Sequence, residues 1–335
     1  MRVLVTGAGG FIGHAVSRAL TARGDEVFGL DNLNDYYDPA LKHARLANLR
    51  EGADSFRFGE VDFTDMEALF RFAEQASPQR IVHLGAQAGV RYSLENPRAY
   101  IDANIVGHLN ILELARARQV EHLVYASSSS VYGGNEKIPF RESDRVDRPC
   151  SLYAATKKAD ELMSETYAHL YRLPQTGLRF FTVYGPWGRP DMMPWIFTRR
   201  ILAGEPIPVF NEGRMERDFT FIDDIVAGVI GCLDQPPSDD GAKKPGGSLN
   251  PHAIYNIGNN QPEQLMKVIG IIEEACGRKA KLDMLPMQAG DVVRTYADID
   301  AIAAVTGYRP TTSIEDGMPR FVEWYRAYHA QPQAD

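Results

Sequence analysis

Met1-Arg2-Val3-Leu4-Val5-Thr6-Gly7-Ala8-Gly9-Gly10-Phe11-Ile12-Gly13 decides how this chain folds. The apolar run Val3–Val5 reads as a short buried strand, and Ile12–Ala22 carries helical spacing. Between them Gly7, Gly10 and Gly13 stand in the order G-x-x-G-x-x-G. Glycine turns tightly after a strand and lets the backbone approach a pyrophosphate. The following helix then offers that anion its free N–H groups and a partial positive charge. By itself such a run is as often an ordinary glycine-rich turn. The second apolar run, Val27–Leu30, ends at Asp31. An acid there accepts hydrogen bonds from an adenosine ribose and repels a 2′-phosphate, so the pattern favours NAD over NADP. Gly7, Gly10, Phe11, Ile12, Gly13, Asp31 and Asn32 are therefore cofactor candidates.

Working outward, Arg57–Val61, Ile81–Leu84 and Leu123–Ala126 read as further strands, and Met66–Glu74, Ala99–Arg116 and Tyr153–Leu170 as helices. Strands alternating with helices imply an α/β fold, a doubly wound parallel sheet covered on both faces. Asp62 and Phe63 follow the third strand, and Leu84 and Ala86 end the fourth, so all four join the cofactor candidates; Asp62 is equally a helix cap. The second half is less regular. Gln235–Ala253, rich in Pro, Gly, Ser and Asp, reads as a solvated loop, followed by a strand at Ile254–Ile257 and a helix at Glu263–Ala275. The expected division is a nucleotide-binding domain over 1–175 with a returning segment near 218–235, and a smaller mixed α/β lobe over 176–217 and 236–330.

The 335 residues are 44% hydrophobic, enough for a large core, and the formal net charge of −8 disfavours nucleic acid as a partner. Cys150, Cys232 and Cys276 show neither metal spacing nor a disulfide framework. No apolar run approaches the ~20 residues that span a bilayer. The chain opens directly in a strand-like run with no room for a signal peptide, so a cytoplasmic protein is expected, with no membrane and no metal.

Tyr153 and Lys157 lie on one helical face. A free tyrosine titrates near ~10, too high for a base at neutral pH. A nearby ammonium and the positive nicotinamide of NAD⁺ favour the phenolate, so the pair can work as one acid–base unit. Upstream, Ser127-Ser128-Ser129-Ser130-Val131-Tyr132-Gly133 follows a core strand, where an α/β sheet places its ligand crevice. One of these hydroxyls can share the reacting proton with Tyr153.

Glycine loop, acid, serine cluster and Tyr–Lys pair stand in the order and spacing of the extended short-chain dehydrogenase/reductases, which the chain resembles. Within them it is most similar to the UDP-glucuronate 4-epimerase group. The strings that carry the likeness are Asp31-Asn32-Leu33-Asn34-Asp35-Tyr36-Tyr37-Asp38, Ala86-Gln87-Ala88-Gly89-Val90-Arg91-Tyr92-Ser93, Arg179-Phe180-Phe181-Thr182-Val183-Tyr184-Gly185-Pro186-Trp187-Gly188-Arg189-Pro190, Arg217-Asp218-Phe219 and Gly290-Asp291-Val292. The chain departs at Gly85, where the group has Ala, and in a longer loop around Gln235–Ala253.

The resemblance implies a Rossmann fold, bound NAD, a UDP-sugar substrate and a homodimer packing the helices of Ala99–Arg116 and Tyr153–Leu170. It makes Tyr153 the base, Lys157 its partner and a ribose ligand, Ser128 the catalytic hydroxyl, and Ser127 and Asn104 cofactor residues. Arg91, Ser128, Ser129, Ser130, Thr182, Arg189, Arg217 and Arg294 would face the substrate: Thr182 and Arg189 its carboxylate, Arg217 and Arg294 its diphosphate. Related 4,6-dehydratases carry an Asp-Glu pair before the Val-Tyr-Gly, and UDP-glucuronate decarboxylases a Glu. Ser130 stands there here, and a hydroxyl is a poor acid–base group for a carbon acid. Epimerisation of UDP-glucuronate to UDP-galacturonate through a 4-keto sugar is the expected reaction. A 4-epimerase of a neutral or N-acetylated UDP-hexose, a decarboxylase, and a silent NAD-binding protein on the same fold remain open.

Overall fold

The structure, a computed structural model, describes residues 1–51, 54–287 and 292–330. Gly290 and Asp291 of the last family string lie outside the described residues. Strand β1 (Arg2–Thr6) leads through the glycine loop into helix α1 (Phe11–Ala22). There follow β2 (Glu26–Asp31), α2 (Pro39–Arg50), β3 (Phe56–Glu60), α3 (Met66–Ala76) and β4 (Arg80–His83). A helical run then comprises α4 (Tyr92–Glu95), α5 (Pro97–Tyr100), a π-helical turn (Ile101–Val106) and α6 (Gly107–Arg118). The long α7 (Leu152–Tyr171) lies between β5 (His122–Ser128) and β6 (Gln175–Phe180). Beyond it come β7 (Thr182–Tyr184), α8 (Met193–Ala203), β8 (Pro206–Phe210), β9 (Glu216–Phe221) and α9 (Ile222–Asp234). The chain continues with β10 (His252–Ile257), β11 (Pro262–Gln264), α10 (Leu265–Cys276), β12 (Lys281–Leu285), α11 (Asp300–Thr306) and α12 (Ile314–Ala330).

Seven strands form one parallel sheet in the order β10-β6-β5-β4-β1-β2-β3. From β1 the chain builds outward through β2 and β3, then crosses back to place β4 on β1's other side. The crevice at the carboxyl ends of β1 and β4 is thus a topological switch point, where open α/β sheets bind ligands. Alternation along β1 feeds two cores: Val3 and Val5 pack with α1 on one face, and Leu4 packs with Leu69 and Leu112 of α3 and α6 on the other. Smaller sheets, β11-β9-β7 and β12-β8, build the region beyond. No described helix is long and apolar enough to cross a membrane.

Three expectations need correction. β6 and β10 belong to the seven-stranded sheet, although they fall in the spans 176–217 and 236–330 assigned to the smaller lobe. β6 hides its core position because Arg179 lies in it, buried and forked with Glu161. The helix expected at Ala99–Arg116 is interrupted by the π-helical turn that carries Asn104. The helix expected from Glu263 starts at Leu265, because Glu263 pairs with Arg217 in an antiparallel strand.

Candidate active site

Helix α1 starts without a side-chain cap on Gly10, so its first N–H groups point unspent into the crevice. The helix packs so closely on the turn before it that its third residue, Gly13, can only be glycine: a Cβ there would stand 2.0 Å from Gly7 O. A close-packed loop that leads into an uncapped helix N-terminus suits a pyrophosphate. From here a cavity of about 770 Å³ runs along the sheet's carboxyl edge. Gly7, Gly10, Phe11, Ile12, Gly13, Asp31, Asn32, Asp62, Phe63, Leu84 and Ala86 line one part. Ser127, Ser128, Ser129, Ser130, Tyr153, Lys157, Thr182, Arg189 and Arg217 line the rest.

The acids at the cofactor end are locked by their surroundings. Asp31 accepts from Gly9 N (3.2 Å) and Leu33 N (2.9 Å), and Lys42 Nζ stands 3.7 Å away. Burial holds the Lys42 ammonium below the ordinary lysine range, with Asp31 opposing. Burial would raise Asp62, but hydrogen bonds from Asn32 and Thr64 hold it below the usual aspartate range. Arg45, fully buried, donates to Gly9 O (3.0 Å), to the Tyr37 hydroxyl (2.7 Å) and to Trp187 O (2.6 Å). This cation ties the glycine loop to the segment that leads into Arg189.

Asn104 stands behind the cavity wall. Its amide accepts from Gln87 N (2.8 Å) and donates to Gln87 O (3.1 Å) and Thr156 Oγ1 (3.0 Å), and Thr156 donates to Tyr153 O (2.9 Å). The turn after β4 is thereby tied to the start of α7. Lys157 Nζ donates to Ala126 O (3.0 Å) and Asp160 Oδ2 (3.1 Å). Ser128 caps the short helical turn Ser129–Tyr132, accepting from Ser130 N. Ser127 lines the cavity, but its hydroxyl donates to Glu161 Oε1 (2.8 Å).

Arg189 is gripped within the protein: Nε and NH2 meet the two oxygens of Asp191 at 2.9 and 2.5 Å, and the Tyr36 hydroxyl donates to the same carboxylate (3.2 Å). Burial would lower the arginine, yet Asp191 carries it above its ordinary value. Burial would raise Asp191, and Arg189 holds it down. Two expected substrate arginines stand outside the cavity wall. Arg91 lies over the Phe210 ring at 5.2 Å, and Arg294 pairs with Glu216 at 2.7 Å. Arg217 lines the cavity and donates to Glu216 O and Val293 O.

Sequence reasoning missed Lys42, Arg45, Asp160, Glu161 and Asp191. Only Asp191 carried a signal, two residues after Arg189 and just past the string that ends at Pro190.

The NAD dependent epimerase/dehydratase family matches residues 3–258. The chain belongs to that family. A probable UDP-glucuronate 4-epimerase of Rhizobium meliloti (strain 1021) is 51% identical over 331 residues, covering 97% of each chain. The UDP-glucuronic acid 4-epimerase of Bacillus cereus, solved with UDP-glucuronic acid and NAD, superposes with a TM-score of 0.87 at 30% identity, over 98% of this chain and 100% of that one. A Thermotoga maritima UDP-glucose 4-epimerase, solved with UDP-glucose, reaches 0.86 at 29% identity, over 98% and 100%. In this family member Gly85 has a physical reason: a Cβ there would lie 2.6 Å from Phe63 Cε1.

Proposed function

We propose that this chain is an NAD-dependent 4-epimerase that interconverts UDP-glucuronate and UDP-galacturonate. One observation carries the reading: a single cavity joins the glycine loop to Ser128, Tyr153, Lys157 and Arg189. The Rhizobium relative, matched over 97% of its length and named for this activity, and the Bacillus structure holding this sugar support the substrate; the Thermotoga structure keeps a neutral hexose as the competing choice.

The free N–H groups of α1 and the carboxylate of Asp31 suit the pyrophosphate and adenosine ribose of NAD. NAD, when bound, accepts the C4 hydride and gives it back. Tyr153 takes the 4-hydroxyl proton with Ser128 sharing it, and Lys157 favours the phenolate. The 4-keto sugar turns about its diphosphate link, and Tyr153 returns the proton on the other face. No external oxidant is consumed.

The 4-keto uronic acid is a β-keto acid and loses CO₂ once its carboxylate bond aligns with the ketone π system. Arg189 holds that carboxylate out of alignment, with Thr182 beside it, and Asp191 pre-orients the guanidinium fork. Ser130, lining the cavity, offers no carboxylate for dehydration or decarboxylation. Ile101, Val106 and Leu109 before and on α6, with Leu162 and Leu170 on α7, are exposed apolar side chains that suit a second copy of the chain. Three free thiols suit a reducing cytoplasm.

Equal concentrations of UDP-glucuronate, UDP-glucose and UDP-N-acetylglucosamine, assayed separately by product chromatography, test the reading. We expect turnover of UDP-glucuronate at least about 10-fold above the others, the scale of one charge-assisted hydrogen bond. Preference for a neutral hexose would reject it.

A further inference from the structure

Asp160 is the buried charge nearest the Tyr153–Lys157 pair, and the mechanism above leaves it idle. It sits one turn after Lys157 on α7, with its side chain 1% exposed and that of Lys157 3% exposed. The ammonium is pinned between two groups of different elements, the Ala126 carbonyl of β5 and the Asp160 carboxylate of α7. An ammonium has three protons to donate. Two are taken from behind, so the third is the one left for the cavity that Lys157 lines.

The neighbouring acid shows what a saturated structural ion pair looks like in this protein. Glu161 receives Ser127, both arms of Arg179 (2.8 and 2.9 Å) and Lys158 (3.2 Å). Asp160 is different: its Oδ1 is buried without a hydrogen-bond partner among the described residues. A buried carboxylate with half its oxygens unmet is poorly stabilised as a structural element. Its one ionic partner among the described residues is Lys157, which acts on the phenol of Tyr153.

We propose that Asp160 is a positioning residue for the Tyr153–Lys157 pair: its carboxylate anchors the ammonium from behind and, when ionised, weakens the pull of that ammonium on the Tyr153 phenol. This rests on the roles given above to Tyr153 and Lys157. An anion 3.1 Å behind the ammonium offsets much of its field at the front, most strongly where water is excluded. When Asp160 takes up a proton, the ammonium acts on the phenol unopposed.

The groups facing Asp160 leave it as the one that switches. Burial raises Asp160 to about 7, with Lys157 opposing and Glu161 adding to the rise. Glu161, on the same helix, is held below its usual range: burial would raise it, and Arg179 wins. His108 of α6 hydrogen-bonds the Asp160 backbone and is driven well below the imidazole range by burial. His83 of β4, which feels Lys157, is lowered by burial to about 3. Tyr125 of β5 is raised well above the phenol range by burial, with Glu161 and Asp160 adding to it. Both imidazoles and the Tyr125 phenol are therefore neutral from pH 5.5 to 9, and Glu161 is charged throughout.

The sign follows. In the native protein Asp160 ionises as pH rises through about 7, so phenol ionisation meets growing opposition and the acid limb of kcat/KM is stretched toward higher pH. Asp160→Asn removes that opposition. The test is the pH dependence of kcat/KM for UDP-glucuronate between pH 5.5 and 9 in the NAD-loaded native enzyme, Asp160→Asn and Tyr153→Phe. We expect Asp160→Asn to follow the native enzyme near pH 6, where Asp160 is protonated, and to pull ahead above about pH 7 by up to about 3-fold while the acid limb still rises, a shift of about half a unit. Profiles that superimpose after scaling would overturn the proposal, because a purely structural loss lowers all rates together. Asp160→Ser, smaller and neutral, repeats the measurement if Asn does not fold; failure of both to fold also overturns it, by making Asp160 a folding residue. Full turnover by Tyr153→Phe would instead reject the underlying assignment of the base.

Discussion

In the mechanism proposed above, Arg189 is the side chain that separates an epimerase from a decarboxylase. Its fork with Asp191 and Tyr36 means the guanidinium meets substrate already oriented, with little rotamer freedom left to lose. A carboxylate arriving at the fork gains charge-assisted hydrogen bonds worth about 1.5–3 kcal/mol. Arg189→Ala should therefore lower kcat/KM for UDP-glucuronate by about 10- to 150-fold, by the tenfold-per-1.4 kcal/mol rule. It should also release UDP-pentose, because the 4-keto acid is then free to align and lose CO₂. Chromatography of the products reads both effects. Native turnover with no UDP-pentose would remove the clamp from the mechanism. The residues that hold this site were unevenly legible in the sequence. Tyr153 and Lys157 stood out by spacing and type, whereas Ser128 was picked out of its serine cluster by the family resemblance. Asp160 and Glu161 did not stand out: two acids on an amphipathic helix read as its solvated face, and only tertiary structure reveals that both are buried.

The end of β4, the turn after β3 and the start of α6 meet at Phe63, and their packing explains a departure from the family pattern. The ring is wedged between Gly85, where a Cβ would lie 2.6 Å away, and Gly107, where it would lie 2.3 Å away. Phe63 also lines the cofactor end of the cavity. Gly85→Ala should push the ring aside and cost about 1–3 kcal/mol, the usual range for overpacking, seen as a lower melting temperature and weaker retention of NAD through purification. Phe63→Leu in the same chain should recover part of both losses. An unchanged melting temperature in Gly85→Ala would show that the wedge yields freely. Elements whose buried face is apolar, such as β1 and β2, were legible from periodicity. Helix α2 was not, because the residues it turns inward include Lys42 and Arg45 beside three leucines. β6 was missed for the same cause, since an arginine sits in a strand buried along its whole length.

At the scale of the molecule, the seven-stranded sheet lines one side of the cavity and the smaller sheets add Thr182 and Arg217, so Tyr153 and Lys157 of α7 lie in the wall between them. Arg45 links these halves through backbone carbonyls at Gly9 and Trp187, which keeps the glycine loop in register with the segment bearing Arg189. The parallel, doubly wound character of the sheet followed from the alternation of strands and helices, whereas the strand order and the membership of β10 did not, because a long loop separates β10 from the rest of the sheet. In the proposed mechanism the hydride leaves C4 and returns to the same carbon within one site. UDP-glucuronate carrying deuterium at C4, converted by the NAD-loaded enzyme in ordinary water, tests this most directly. The account predicts that the UDP-galacturonate formed keeps its deuterium at C4; loss of the label to solvent would contradict it.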